Sequence, residues 1–179
     1  MTFDDITGDG RLWAVRYDGM QDNALFTLFD QWNDVMWLRN FFKENWQDMQ
    51  SYFKVTSVNE AIRDTIEDSE RLEEIIMDIS PDADLDRLFR PLENYRTSDM
   101  LLGKEKARLK RTMRHSSWLR IYAIKLADGV YIVTGGAIKL TFKMEEREHT
   151  RKELEMVRSF LLNENIIDDE GFAEYVNTL

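Results

Sequence analysis

The chain has 179 residues, with 34 acidic and 24 basic side chains and a formal net charge of −10. This length supports one sizeable hydrophobic core, or a small core with an appended subdomain. The absence of cysteine excludes disulfides and thiolate metal sites and fits a reducing compartment, so we predict a cytoplasmic protein. No apolar run reaches the roughly 18 residues that a bilayer span needs, and the acidic stretch Met1–Ile6 has no signal-peptide core.

The first predicted elements are a short strand and a long stretch of amphipathic helix. Residues 12–18 alternate weakly and end at an Asp-Gly pair, which predicts a strand followed by a turn. From Asn23 to Phe53, apolar residues recur every three or four positions, which predicts one helical face. Either Asp22 or Asn23 can cap its first turn.

A second long helix is predicted over residues 57–79. Ser57 and Glu60 have the spacing of a capping box, and a Ser-Pro pair ends the helix. Its carboxylates are interpreted as a continuous outer face that serves solubility or partner docking. These carboxylates are Asp64, Glu67, Asp68, Glu70, Glu73, Glu74 and Asp78.

The later part of the chain predicts a change from helix to sheet. Residues 100–113 are basic and predict a helix with a thin apolar stripe. A β-hairpin follows, with strands over 118–126 and 130–142 joined by an Asp-Gly turn. The pair Gly135-Gly136 lies inside the second strand, where glycine indicates a bulge or, less often, the close approach of a ligand.

Two helices are predicted after the hairpin. Thr150 and Glu153 form another capping-box spacing, and Asp168 or Asp169 can cap a short final helix. The sequence therefore predicts a single α+β domain, with N-terminal helices, a small curled antiparallel sheet and a C-terminal helix. Its acidic part covers residues 1–100, and its basic segment, hairpin and last helices cover 101–179.

Charge divides the chain unevenly. Residues 1–100 hold 22 acidic and 10 basic side chains, a balance of −12, whereas residues 101–179 hold 12 and 14, a balance of +2. Local potential matters within a Debye length of roughly 8 Å, so the basic segment can bind phosphate, the chain's own acidic half or an acidic partner. The candidate RNA-binding residues are Lys104, Lys106, Arg108, Lys110, Arg111, Arg114 and Lys143.

The hairpin contains the residues that are the strongest candidates for a binding or catalytic role. Alternation places Arg120 and Tyr122 on one face of the sheet, and Lys139 on the returning strand is expected on the same polar face. Cations hold phosphates and an aromatic ring stacks on a base, which suits RNA. The alternative is an ordinary solvated face. His115 and His149 are candidate acid–base groups, or simply structural histidines.

Several site classes find no support in the spacing of residues. The run Thr134–Thr141 lacks the spacing of a phosphate-binding loop and lies in a strand. The two histidines do not form a metal-binding motif. We therefore predict neither a metal site nor any other cofactor.

The hairpin and the helix after it resemble the RelE/HigB toxin superfamily over residues 118–160. The matching features are Arg120-Ile-Tyr122, the strand ending Ala137-Ile-Lys139-Leu-Thr141, and the Thr150-x-x-Glu153-Leu154 pattern with Arg158. The resemblance implies a metal-independent endoribonuclease that cleaves mRNA at the ribosome and is held by an antitoxin-type protein. It implies that Arg120, Tyr122 and Lys139 stabilise the transition state or stack on a base, with His149 as an acid–base group. The alternative is a non-catalytic protein-interaction module on a RelE-like scaffold.

Overall fold

The computed structural model describes residues 1–91, 103–107, 115–126, 129–140 and 145–178, with the backbone alone at 103–105 and 145–150. Six helices and six strands lie in these ranges. The strands are β1 (Thr2–Asp5), β2 (Leu12–Arg16), β3 (Phe89–Pro91), β4 (Gly103–Ala107), β5 (Leu119–Lys125) and β6 (Tyr131–Ile138). The helices are α1 (Ala24–Asn33), α2 (Val35–Glu44), α3 (Trp46–Tyr52), α4 (Val58–Met77), α5 (Glu145–Asn163) and α6 (Asp169–Asn177).

The strands form one mixed sheet in the order β1-β2-β6-β5-β4-β3. Only β2 and β6 run parallel, with Leu12 beside Tyr131. The predicted α+β class and the predicted hairpin of β5 and β6 are both confirmed. The sheet is larger than predicted and is not purely antiparallel, because the second strand of the chain, β2, pairs in parallel with the last one, β6.

Helices cover both faces of the sheet. One core joins the inward faces of α1, α2, α3 and α4 to side chains such as Ile121 and Val133. The other core joins α5 and α6 to the alternate residues of the same strands, such as Ile124 and Ile132. The central strand β5 is therefore buried on both faces, which explains its nearly continuous apolar sequence.

The predicted helical face from Asn23 to Phe53 is divided among three helices. Asn23 caps α1, and its side-chain oxygen accepts hydrogen bonds from the amides of Leu25 and Phe26 at 3.1 Å each. Asp34 ends α1 and caps α2 in the same way. The apolar period continues across this junction because all three helices pack on the same core.

The capping box predicted for α4 is confirmed in a modified form. The Ser57 hydroxyl accepts from the Glu60 amide at 3.2 Å. The Glu60 carboxylate reaches back to the amide of Thr56 at 2.8 Å. Reciprocal bonds of this kind satisfy amides that a helix start leaves without partners.

One predicted helix and the predicted start of another helix are wrong. Residues 103–107 form the strand β4 instead of part of a basic helix, because pairing with β3 and β5 outweighs a local helical preference that had little apolar support. The fifth helix begins at Glu145 and not at Thr150, since the charged residues before Thr150 are good helix formers. The cap of α6 by Asp168 is confirmed.

Adjacent glycines allow helices to approach β6 from both sides. The predicted bulge is confirmed by a shift of register between Tyr122 and Ala123 on the facing strand. A methyl group at Gly135 would meet the carboxylate of Glu153 on α5, and one at Gly136 would meet the Arg120 carbonyl and lie 2.7 Å from Leu28 Cδ1 on α1.

We predict that Gly136→Ala lowers the free energy of unfolding by about 1–3 kcal/mol, the usual cost of overpacking. The new methyl group would collide with backbone and with a buried leucine. Gly135→Ala is the matched comparison and should cost less, because the end of the Glu153 side chain can rotate away. Urea denaturation of both variants measures the difference, and equal losses would contradict the packing argument.

Candidate functional site

Arg120 and Tyr122 share one face of β5 as predicted, but both are buried. Arg120 is 9% exposed and Tyr122 is 7% exposed. Tyr122 belongs to the core that contains Leu154 and Val157 of α5. The expectation that these two side chains form part of an exposed cationic surface is therefore wrong, because α5 covers that face of the strand.

The Arg120 guanidinium is directed at the backbone. Its Nη1 atom donates to the carbonyl oxygens of Ser117 at 2.7 Å and Leu119 at 2.6 Å. Charged donors make strong hydrogen bonds, and buried carbonyls need partners. These bonds fix the segment that leads into β5, so Arg120 has a structural role here.

Two of the predicted lysines, Lys106 and Lys139, lie on or directly after strands that flank β5. Lys106 of β4 stands opposite Tyr122 in the strand register, and residues paired in this way have side chains on the same side. Lys139 follows β6, and its amide donates to the Trp118 carbonyl at 2.7 Å. Both lysines are partly exposed.

The remaining predicted site residues lie wholly or partly outside the described residues. The backbone of Lys104 belongs to β4 and that of His149 to α5, while their side chains are not described. The others fall in the gaps: Arg108, Lys110, Arg111, Arg114 and Lys143.

A cleft that the sequence analysis did not predict opens beside β6. Pairing between β2 and β6 ends at Ala14 and Val133, and no other strand in the described ranges takes over this edge. Past this point the Tyr17 hydroxyl donates to the Thr134 carbonyl at 2.6 Å. The space left open has a volume of about 550 Å³.

The lining of the cleft combines aromatic rings with carboxylates. α1 contributes Leu28, and α2 contributes the stacked rings of Trp37 and Phe41, whose centroids are 5.3 Å apart. Among the described residues, no lysine or arginine lines the cleft. The carboxylates that line it are those of Asp18, Asp22 and Glu153.

The backbone of β6 forms one wall of the cleft. The Lys139 amide points toward β5, since it donates to Trp118. Alternation along a strand then turns the amide and carbonyl groups of Gly136 and Ile138 toward the opposite edge. That edge borders the cleft, so its wall presents peptide groups with the spacing of a β-strand.

Tyr17 and Glu153 interact electrostatically at the cleft. Burial raises the pKa of the Tyr17 hydroxyl above its usual value, and the negative charge of Glu153 raises the pKa further. The hydroxyl therefore remains protonated at physiological pH and continues to donate to the Thr134 carbonyl. It is suited to holding the strand and not to acting as a general base.

A second polar cluster lies between α4 and the start of β5. His115 Nε2 is 3.1 Å from Asp64 Oδ2, and the two side chains are only 7% and 5% exposed. The His115 ring stacks on Trp118 with centroids 4.1 Å apart. The Trp118 Nε1 atom donates to the Thr65 hydroxyl at 3.0 Å, so the cluster ties the sheet to α4.

Asp64 and Asp68 are exceptions to the predicted acidic outer face of the second helix, because both are buried. Burial raises the pKa of the Asp68 carboxyl above its ordinary value. A hydrogen bond with Ser117 and the charges of His115 and Arg71 oppose this rise without cancelling it. The two aspartates therefore form polar contacts inside the protein and do not belong to its solvated surface.

The burial of Asp64 and Asp68 could have been predicted from the helical periodicity of α4. Ala61, Thr65 and Leu72 lie on the buried stripe of α4, and Asp64 and Asp68 are adjacent to it along the helix. Carboxylates are usually exposed unless they have partners. His115 and Ser117 are those partners, and only the tertiary fold brings them close.

The described residues contain no cluster of histidine, aspartate and glutamate suited to holding a metal ion. In the same ranges, no helix has both the length and the apolar character to cross a bilayer.

Comparison of the chain with protein-family models, with curated proteins and with solved structures gave no match. The resemblance to the RelE/HigB superfamily therefore stays a prediction, as do the activity and the partners that it implies.

We predict that Asp68→Asn removes one contribution to the pH dependence of stability, the loss of stability that Asp68 causes as the pH rises. A carboxyl whose pKa is raised by folding contributes stability in full below its ordinary value of 3.8, and this contribution is lost as the pH rises through the folded pKa. Asparagine does not titrate, so this loss disappears. Urea denaturation between pH 3 and pH 7 measures it as the slope of unfolding free energy against pH.

The control for this experiment is Asp82→Asn, because Asp82 is exposed in the loop after α4. This variant should keep the slope of the parent protein. Identical slopes for all three proteins would show that burial does not shift the titration of Asp68.

Proposed function

We propose that the protein is a non-catalytic interaction module that binds a polypeptide partner in the cleft between α1, β6 and α5. The observation that carries the proposal is the lining of the cleft, which combines stacked aromatic rings, carboxylates and the backbone of a strand. Arg120 and Tyr122, which the catalytic alternative needs in contact with RNA, lie under α5.

The composition around the cleft supports a protein partner. Met20 lines the cleft and is 48% exposed. Met36, which precedes Trp37 on α2, is 66% exposed. Methionine and aromatic residues are enriched in protein interfaces, and flexible methionine adapts to the shape of a partner.

We predict that filling the cleft abolishes partner binding. Peptides selected from a random displayed library on the parent protein should bind Thr27→Trp at least about tenfold more weakly, a loss of about 1.4 kcal/mol. Thr27 lines the cleft on α1, and an indole ring at this position would occupy its volume. Fluorescence anisotropy with the selected peptides measures the affinities.

Asp30→Trp provides the matched control, since Asp30 is exposed on the same helix and does not line the cleft. This variant should bind the selected peptides as the parent protein does. A library that yields no binders, or binders that Thr27→Trp still accepts, would overturn the proposal.

An endoribonuclease of the RelE/HigB type is the second candidate function. The observation that favours it is the partial exposure of Lys106, which the sheet register sets beside the buried Tyr122. Partly exposed Lys139 lies at the end of the neighbouring strand. Partly exposed cations of this kind can hold RNA phosphates and stabilise the charge that develops during cleavage.

If the second candidate is correct, expression of the chain in bacteria should arrest growth and cleave ribosome-bound mRNA. Lys106→Ala combined with Lys139→Ala should reduce cleavage at least about 100-fold, as expected when transition-state charge loses its stabilisation. Primer extension on cellular transcripts measures the cleavage.

The control pair for this test is Lys43→Ala with Lys54→Ala, which removes the same charge from two exposed positions on the acidic half of the chain. It should leave growth arrest intact. Normal growth and intact transcripts with the parent protein would eliminate the nuclease.

A further inference from the structure

We infer that a groove between α2 and α4 binds a small organic acid, with the carboxylate of the acid at Arg39 and its apolar tail along the groove. The inference goes beyond the proposed function, because this groove shares no lining residue with the cleft. The groove has a volume of about 330 Å³, which lies at the lower end of the range for small-molecule sites.

The α2–α4 groove has an apolar part that suits a hydrocarbon tail. Val35 of α2 and Ile62 and Ile66 of α4 line it. Residues four apart are neighbours on a helix surface, so the two isoleucines form a stripe along α4. Val35 is 43% exposed. A hydrocarbon chain in the α2–α4 groove would remove this apolar surface from water, which favours binding.

Arg39 supplies a cation that no carboxylate of the described residues neutralises. Its Nε atom is buried and has no hydrogen-bond partner in the described part of the chain. Arg11, in the same acidic half, pairs with Asp9 at 2.8 Å, whereas no ion pair in the described ranges includes Arg39. Buried charged donors normally have acceptors. A carboxylate in the α2–α4 groove would provide one.

The Arg39 side chain is accessible to such an anion. It lines the α2–α4 groove and is partly exposed. A guanidinium presents its donors as a planar fork that matches the two oxygens of a carboxylate, and these charge-assisted hydrogen bonds are strong. The tail and the head group of a small acid would therefore meet an apolar stripe and a matching cation in one groove.

The charge of the lining favours a singly charged anion. Arg39 and Arg63 bring two positive charges to the α2–α4 groove, and Glu67 brings one negative charge. This lining has a balance of +1, although residues 1–100 have a balance of −12. A monocarboxylate matches the excess charge. A phosphate dianion would place a second negative charge near Glu67, which like-charge repulsion opposes.

Octanoate is the probe for the intact protein, and isothermal titration calorimetry measures its affinity. Octanoate should bind at least about tenfold more tightly than octanol, which lacks the charge that forms the strong hydrogen bonds. It should also bind roughly tenfold more tightly than hexanoate, because two additional methylene groups leave water. Equal affinities for octanoate and octanol would overturn the inference.

A matched pair of variants tests the role of Arg39. Arg39→Gln should weaken octanoate binding at least about tenfold through the loss of a charge-assisted hydrogen bond. Arg90→Gln removes the same charge from an exposed position on β3 that does not line the α2–α4 groove, and should keep the affinity of the parent protein.

Urea denaturation without octanoate separates ligand binding from a structural role of Arg39. Arg39→Gln should be as stable as the parent protein, because the guanidinium loses no partner. A variant that loses stability together with octanoate binding would show that Arg39 supports the fold, and would overturn its assignment to a ligand.

A second pair of variants places a new charge on α2. Val35→Glu adds a carboxylate to the lining of the α2–α4 groove, and an acidic residue in the first turn of a helix is compatible with folding. Repulsion should weaken octanoate binding at least about tenfold. Met36→Glu adds the same charge at the next residue, which is exposed and does not line the groove, and should leave the affinity unchanged.

Thr27→Trp distinguishes the α2–α4 groove from the cleft. This variant fills the cleft and should bind octanoate as the parent protein does. Loss of octanoate binding in Thr27→Trp would show that the acid occupies the cleft, and would overturn the inference. Failure of octanoate to bind the parent protein would overturn it as well, while peptide binding in the cleft would be unaffected by either result.

Discussion

The pair Gly135-Gly136 is the constraint on which the arrangement of the sheet depends. One glycine admits the Glu153 side chain from α5, and the other admits Leu28 from α1. Helices can therefore press on opposite faces of β6 at successive residues. Because α5 is held so close, the sheet face with Arg120 and Tyr122 becomes interior. The cleft lies at the strand edge between the two helical layers.

Much of the fold can be predicted from the sequence because the local sequence patterns favour the same elements as the tertiary contacts. The caps at Asn23, Ser57 and Asp168 accept hydrogen bonds from helix amides wherever the helix packs. They therefore predict helix starts without knowledge of the tertiary structure. The strands β5 and β6 are apolar and joined by a short turn, which makes the hairpin a local structure. Residues 103–107 differ because their strand exists only through pairing with β3 and β5.

The candidate site was less predictable, for a physical reason. Alternation assigns Arg120 and Tyr122 to one face correctly, but it does not reveal whether a helix covers that face. In β5 both faces are buried, so an arginine stands where an apolar residue is usual, and the carbonyls of Ser117 and Leu119 satisfy it. The cleft has no sequence motif, since it arises where β2 stops pairing with β6.

The parallel pairing of β2 with β6 joins distant parts of the chain. Leu12 lies beside Tyr131, and the loop that this pairing closes contains every residue from α1 to β5. The hairpin of β5 and β6, in contrast, closes only a short turn. Loop-closure entropy grows with the length of the loop, so the largest ordering cost of the sheet is concentrated in three residue pairs at its parallel junction.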